Sequence, residues 1–66
     1  MTIKEYDVVR LRRPLPEHKL ATGAVGAVVM VYHDPLAYEV EFCDEYGVTL
    51  ALLTLQEEDI EPNVPV

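Results

Sequence analysis

Cysteine and positive charge are both scarce in this chain of 66 residues, and each scarcity excludes a class of protein. Cys43 is the single cysteine, so neither an intramolecular disulfide nor a zinc site with paired cysteine ligands can form. No apolar run approaches the length of a bilayer-spanning helix, and the first residues lack the charged-then-apolar pattern of a signal peptide. These absences predict a cytoplasmic protein that does not insert into a membrane.

Positive charge is confined to the start of the chain. All five Lys and Arg residues lie among the first twenty, whereas residues 21–66 carry nine acids and no Lys or Arg. The formal net charge is −7. Because nucleic-acid affinity depends on cations that displace condensed counterions, this balance disfavours general nucleic-acid binding. A basic protein partner is compatible with such an acidic field.

The hydropathy pattern predicts an all-β protein. We expect one domain over residues 1–66, with an ordered part at 6–62 and a frayed tail at 63–66. Tyr38, Val40 and Phe42 alternate with Glu39 and Glu41, which is typical of a strand with one buried face. The predicted strands are 6–11, 27–32, 37–43, 48–55 and a short edge strand at 60–62.

Proline, glycine and acidic residues separate these strands. Pro14 and Pro16 predict a long loop from 12 to 23, because proline is excluded from central strands and helix interiors. Residues 33–36 and 44–47 read as turns, and 56–59 as one turn of 3₁₀ helix. Closing such short strands into a small five-stranded barrel would remove exposed sheet edges.

The order of these segments also carries a family resemblance. The chain resembles the small bacterial proteins grouped as domain-of-unknown-function family 4926 in the segments Tyr6–Leu11, Gly23–Val29, Tyr38–Phe42, Leu53–Leu55 and Asp59–Pro62. It is similar to the Src-homology-3-like barrels, above all to that of the nitrile hydratase β-subunit. This resemblance implies a fold and no activity, since the metal ligands of nitrile hydratases lie on the other subunit. Small proteins of this kind are often encoded beside a second short protein, which implies a working pair such as an antitoxin or immunity protein and its target.

Two of the predicted strands, 27–32 and 48–55, are apolar on both faces. Only one face of a barrel strand points inward, so either loops and termini cover the outer face or it forms a contact surface. We predict a protein-interaction module that binds another small bacterial protein or a second copy of itself. The predicted contact residues are Arg12, Leu15, Tyr32 and Leu53.

The basic cluster offers an alternative function. Arg10, Arg12 and Arg13, together with Tyr6, would form the contact of an RNA- or nucleotide-binding barrel. The competing interpretation, which we favour, is that these arginines pair with Glu39, Glu41 or the acids near the end of the chain.

No residue pattern points to catalysis, a metal, a cofactor or a small-molecule substrate. Glu39 and Glu41 read as a solvated strand face rather than as a catalytic carboxylate pair. His18, His33 and Cys43 lie on two loops and a strand end, where convergence on a metal ion is not expected. We therefore expect a protein that is not an enzyme.

Overall fold

A computed structural model describes residues 3–64 and shows five antiparallel strands in one sheet. The strands follow the sheet order β4-β3-β2-β1-β5. Their bounds are β1 Val8–Leu11, β2 Val25–Tyr32, β3 Ala37–Cys43, β4 Thr49–Leu55 and β5 Ile60–Pro62. Two 3₁₀ turns accompany them, at Pro16–His18 and Glu57–Asp59. The predicted all-β class, the long loop after the first strand and the 3₁₀ turn before the last are confirmed.

Strand β2 contains a bulge that the sequence did not reveal. Val28 pairs with Val40, but the next partner of β3, Glu39, pairs with Met30, so Val29 is an extra residue. A bulge shifts the alternation of side chains by one position. Val28, before the bulge, therefore lies in the core, and Val31, after the bulge, packs against the same core.

The core lies on one side of the sheet. Tyr38, Val40 and Phe42 of β3 are all buried, as their alternation predicts. They pack with residues of the other four strands, of the segment before β1 and of the loop between β1 and β2, namely Ile3, Val9, Leu11, Leu15, Leu20, Val28, Leu55 and Ile60. The loops thus supply part of a core that the sheet alone could not cover.

The long loop between β1 and β2 is folded onto this core. Leu15 and Leu20 bridge each other through two backbone hydrogen bonds of 2.8 and 3.1 Å, and the turn Pro16–His18 lies between them. Both leucine side chains are buried. The loop therefore acts as a small covering element rather than as a free extended arm.

A close approach between β2 and β3 explains Gly26. A Cβ atom on Gly26 would lie 2.8 Å from Cγ1 of Val40 and 2.9 Å from both the Glu41 carbonyl oxygen and Cε1 of Phe42. Atoms do not approach so closely without displacement. Glycine at this position thus allows the backbone of β2 to lie close to β3 above the buried side chains of Val40 and Phe42.

The hairpin between β3 and β4 is closed by Asp44. Its Oδ1 accepts hydrogen bonds from the backbone N–H groups of Tyr46 and Val48, at 2.8 and 2.9 Å. Gly47 has a φ of 82°, a left-handed conformation that glycine adopts without strain. The predicted turn at 44–47 is confirmed.

A backbone hydrogen bond attaches Asn63, just after β5, to β1. The Asn63 N–H donates a 3.0 Å hydrogen bond to the Val8 carbonyl, so the expected frayed tail does not begin at residue 63. Residues 65 and 66 of that predicted tail lie outside the described residues. Within the described part of the chain, neither helical turn has the length or apolar character needed to cross a membrane.

Candidate functional site

The sheet has a second face, opposite the core, which we call the outer face. Strand register fixes one row across it: Leu52 on β4 pairs with Glu41 on β3, Glu41 with Ala27 on β2, and Ala27 with Val8 on β1. A neighbouring row contains Thr54, Glu39 and Met30. All of these side chains point away from the core because side chains alternate along each strand.

Apolar side chains dominate the outer face. Leu50 and Leu52 are 57% and 53% exposed, and Val8, Val25 and Met30 are each close to half exposed. A shallow depression among them is lined by Val8, Val25, Gly26, Ala27, Glu41 and Cys43. An apolar surface that continues across several strands is typical of an interaction site.

Two carboxylates stand within this apolar face. Glu41 accepts a 2.7 Å hydrogen bond from the Thr49 hydroxyl, and Glu39 accepts a 2.6 Å bond from the Thr54 hydroxyl. Both donors lie on β4, so each carboxylate is aligned toward the neighbouring strand. A carboxylate accepts several hydrogen bonds, and each glutamate therefore retains capacity for a cationic donor.

The four predicted contact residues do not share one surface. Tyr32 is 41% exposed at the end of β2, and Arg12 is exposed at the start of the long loop. Leu15 is only 3% exposed and belongs to the core. Leu53 is partly buried and packs against that core. The burial of Leu15 does not fit an exposed contact residue, whereas the role of Leu53, Arg12 and Tyr32 as contact residues stays a prediction.

The exposed apolar residues of β4 are Leu50 and Leu52, which lie on the outer face with Thr49 and Thr54. The register that pairs Leu53 with Val40 and Leu52 with Glu41 decides this orientation. The sequence held no signal that separates these leucines from Leu53, because both faces of β4 are apolar and the register against Glu39 and Glu41 is set by the fold.

The arginine cluster is engaged with acids near the end of the chain. Arg10 forms an ion pair with Glu61, and Nε of Arg12 lies 3.6 Å from the same carboxylate. Arg13 pairs with Asp59 at 2.7 Å. The interpretation that these arginines pair with acids is confirmed, and the acids are those of the 3₁₀ turn and β5 rather than Glu39 and Glu41.

Asp59 is the buried member of this cluster. Burial alone would raise its pKa, but hydrogen bonds from Arg13 and from the Gln56 backbone N–H, with the charge of Arg13, hold the pKa below its ordinary value. The same hydrogen bond to Asp59, followed by its charge, raises the pKa of Arg13. Both shifts favour the charged forms, so this pair stays ionised at neutral pH.

The remaining candidate residues are dispersed. Tyr6 is 78% exposed with a φ of 72°, and it lies before β1 rather than within it. His18 ends the first 3₁₀ turn, His33 lies in the turn after β2, and Cys43 is exposed at the end of β3. Among residues 3–64, no group of three or more His, Cys, Asp or Glu side chains is placed to hold a metal ion.

Comparison with known proteins gives one match, to a family model. Neither curated proteins nor solved structures include a significant match to this chain. A family model does match, over residues 5–62, which include all five strands and the outer face. The chain therefore belongs to the family described as Domain of unknown function (DUF4926).

Proposed function

We propose that this protein is a non-enzymatic protein-interaction module built on a small Src-homology-3-like barrel. The observation that carries the proposal is the apolar surface of the outer face, where Leu50 and Leu52 are more than half exposed and Val8 is 48% exposed in a chain of 66 residues. Burying such surface is the dominant favourable contribution to most protein association. A partner surface would bury these side chains together.

Two features support the barrel part of the proposal. The sheet order places β1 between β2 and β5, and a long loop follows β1. The 3₁₀ turn at Glu57–Asp59 precedes the last strand. This order of elements is similar to that of the Src-homology-3-like barrels and of the nitrile hydratase β-subunit barrel.

The partner is another small bacterial protein, in an antitoxin- or immunity-like pair, or a second copy of the chain. We place this pairing in the cytoplasm, because an exposed single thiol such as Cys43 suits a reducing compartment. An RNA contact through Arg10, Arg12, Arg13 and Tyr6 is less well supported, because the three guanidinium groups already pair with Asp59 and Glu61.

Light scattering across a concentration series, followed by co-purification with the protein encoded next to this one, tests the proposal. We expect a dimer or a defined complex, and we expect Leu52→Glu to weaken it at least tenfold. Leu36→Glu is the matched control, because Leu36 is 41% exposed in the turn after β2 and the substitution adds the same charge. A chain that stays monomeric and binds no such partner would overturn the proposal.

A further inference from the structure

Strand β4 is an unusually open edge of the sheet. Among residues 3–64 it pairs with β3 alone, so its other side presents backbone N–H and C=O groups that the sheet does not use. Proteins commonly protect such edges with lysine, proline or short strand length. The seven residues Thr49–Leu55 contain no charged residue and no proline. Their one irregularity is a bulge at Leu50, which leaves Ala51–Leu55 in regular register with β3.

The opposite edge of the sheet shows the usual protection. Strand β5 has three residues and ends in Pro62, and the ion pair of Arg10 with Glu61 lies beside it. The two edges therefore differ in length, charge and proline content. An edge left open in a sheet whose other edge is protected is suited to accept an additional strand.

The surroundings of β4 are apolar and negatively charged. Leu50 and Leu52 present exposed side chains on the outer face of β4, and Glu39 and Glu41 lie beside them on β3. No cation of the chain is available here from neighbouring sequence, because residues 21–66 contain no Lys or Arg. The charge around β4 is thus unmatched by any Lys or Arg of β2, β3 or β4.

A second copy of this chain does not complement that charge. Two β4 edges paired around a two-fold axis would bring together two surfaces that each carry Glu39 and Glu41. The arginines that could offset them pair with Asp59 and Glu61 at the other side of the sheet. Like charges placed together disfavour association, whereas complementary potentials favour it.

We propose that β4 binds one strand of a basic protein partner, in which Lys or Arg residues alternate with apolar ones. The inference rests on the proposed function and specifies the chemistry of its partner. Backbone hydrogen bonds form along the free edge of β4, and the partner's apolar side chains pack against Leu50 and Leu52. An added strand lies about 9.6 Å from β3, two strand spacings away. The stem of a Lys or Arg on the added strand closes that distance together with Glu39 or Glu41, whose side chains extend toward β4 to the Thr54 and Thr49 hydroxyls.

A synthetic peptide of alternating Lys and Val residues, seven residues long, is the probe. We expect saturable binding that protects β4 amides from hydrogen exchange and shifts their NMR resonances. A peptide of the same composition with its lysines grouped at one end measures non-specific attraction to the acidic chain. Two further peptides, one N-methylated at alternate residues along one edge and one along the other edge, test whether backbone pairing is used.

Charge variants test the role of the two glutamates. The double substitution Glu39→Gln and Glu41→Gln should raise the Kd of the alternating peptide about fivefold and reduce its dependence on salt. The matched control is Glu5→Gln with Glu17→Gln, which removes the same charge from exposed positions outside β3 and β4. Equal effects of the two double variants would overturn the role assigned to Glu39 and Glu41.

Three further results would overturn the inference, and they separate it from the proposed function. Equal binding of the alternating and grouped peptides, or no effect of either N-methylation, would exclude strand addition. A chain that dimerises through β4 without peptide, and loses the dimer in Leu52→Glu, would assign the edge to a second copy while supporting an interaction module. Absence of both peptide binding and any defined complex would remove the inference and the proposed function together.

Discussion

The Nε–H group of Arg13 donates a 2.7 Å hydrogen bond to Oδ1 of Asp59, and this contact joins the start of the long loop to the turn before β5. The Asp59 carbonyl accepts a 2.8 Å bond from the Arg12 backbone N–H. The second carboxylate oxygen of Asp59, Oδ2, accepts a 2.9 Å hydrogen bond from the Gln56 backbone N–H. Asp59, which is only 6% exposed, therefore both caps its own turn and joins that turn to the start of the long loop.

Removing the Asp59 carboxylate should weaken the fold. Asp59→Ala leaves the Gln56 N–H without its partner and ends the contact with Arg13, and loss of such a cap costs about 1–2 kcal/mol. We expect urea unfolding to show this decrease. Glu58→Ala is the control, because Glu58 is an exposed acid in the same turn. Similar losses in both variants would contradict the role of Asp59.

The Asp59 carboxylate should also make stability depend on pH. Its pKa is lower in the folded chain than its ordinary value of 3.8, so the folded state binds fewer protons at this site than the unfolded state. The stabilisation is complete above that ordinary value and is lost as the pH falls through the lowered pKa. Unfolding measured between about pH 2 and pH 7 should show a steeper acid loss in the wild type than in Asp59→Asn. Glu58→Gln should retain the steep loss, and identical curves for the wild type and Asp59→Asn would contradict this assignment.

Two neighbouring leucines of β4 should differ greatly in how much stability the same substitution costs. Leu53 packs against the core, so Leu53→Glu would bury a charge and should lower the free energy of unfolding by about 2 kcal/mol or more. Leu52 is 53% exposed, and Leu52→Glu should change that free energy by less than about 0.5 kcal/mol. Thermal unfolding of the two variants separates these outcomes, and an equal loss would mean that the register of β4 is wrong.

The strands were largely predictable, because alternation and turn residues reflect local chemistry. The alternation of Tyr38, Val40 and Phe42 with glutamates fixed β3 to its exact bounds, and Asp44 with Gly47 marked its hairpin. The first strand begins at Val8 rather than at Tyr6, because Tyr6 adopts a positive φ that ends regular pairing. Such a departure depends on tertiary contacts and leaves no mark in the residue pattern.

The candidate site was less predictable than the fold. A bulge at Val29 and the register of β4 decide which side chains of two apolar strands are exposed. When both faces of a strand are apolar, the period of two does not distinguish them. Leu15 was mistaken for a surface residue because a proline-containing loop usually lies in solvent, whereas this loop closes through Leu15 and Leu20 onto the core.

Leu15 should therefore contribute to stability as a core residue. Leu15→Ala removes a side chain that is 3% exposed, and such truncations cost about 2–4 kcal/mol. A domain of this size has about 3–10 kcal/mol of total stability, so the variant should unfold at a much lower urea concentration. Leu36→Ala, in an exposed turn, should change the midpoint little. If Leu15→Ala kept the wild-type midpoint, the loop would not be packed on the core.

Gly26 and Gly23 should differ in which side chains they tolerate, because they are glycine for different reasons. Gly23 has a φ of 89° with nothing within 4 Å of a Cβ, whereas a Cβ on Gly26 would meet Val40 and the Glu41 carbonyl oxygen within 3 Å. Asparagine accepts the left-handed conformation, so Gly23→Asn should cost less than Gly23→Ala. Gly26→Ala should cost about 1–3 kcal/mol, and Gly26→Asn should cost more. Adding Val40→Ala to Gly26→Ala should not restore stability, because the Glu41 carbonyl oxygen remains in place. Recovery of stability in that double variant, measured by urea unfolding, would show that β2 and β3 can move apart at Gly26.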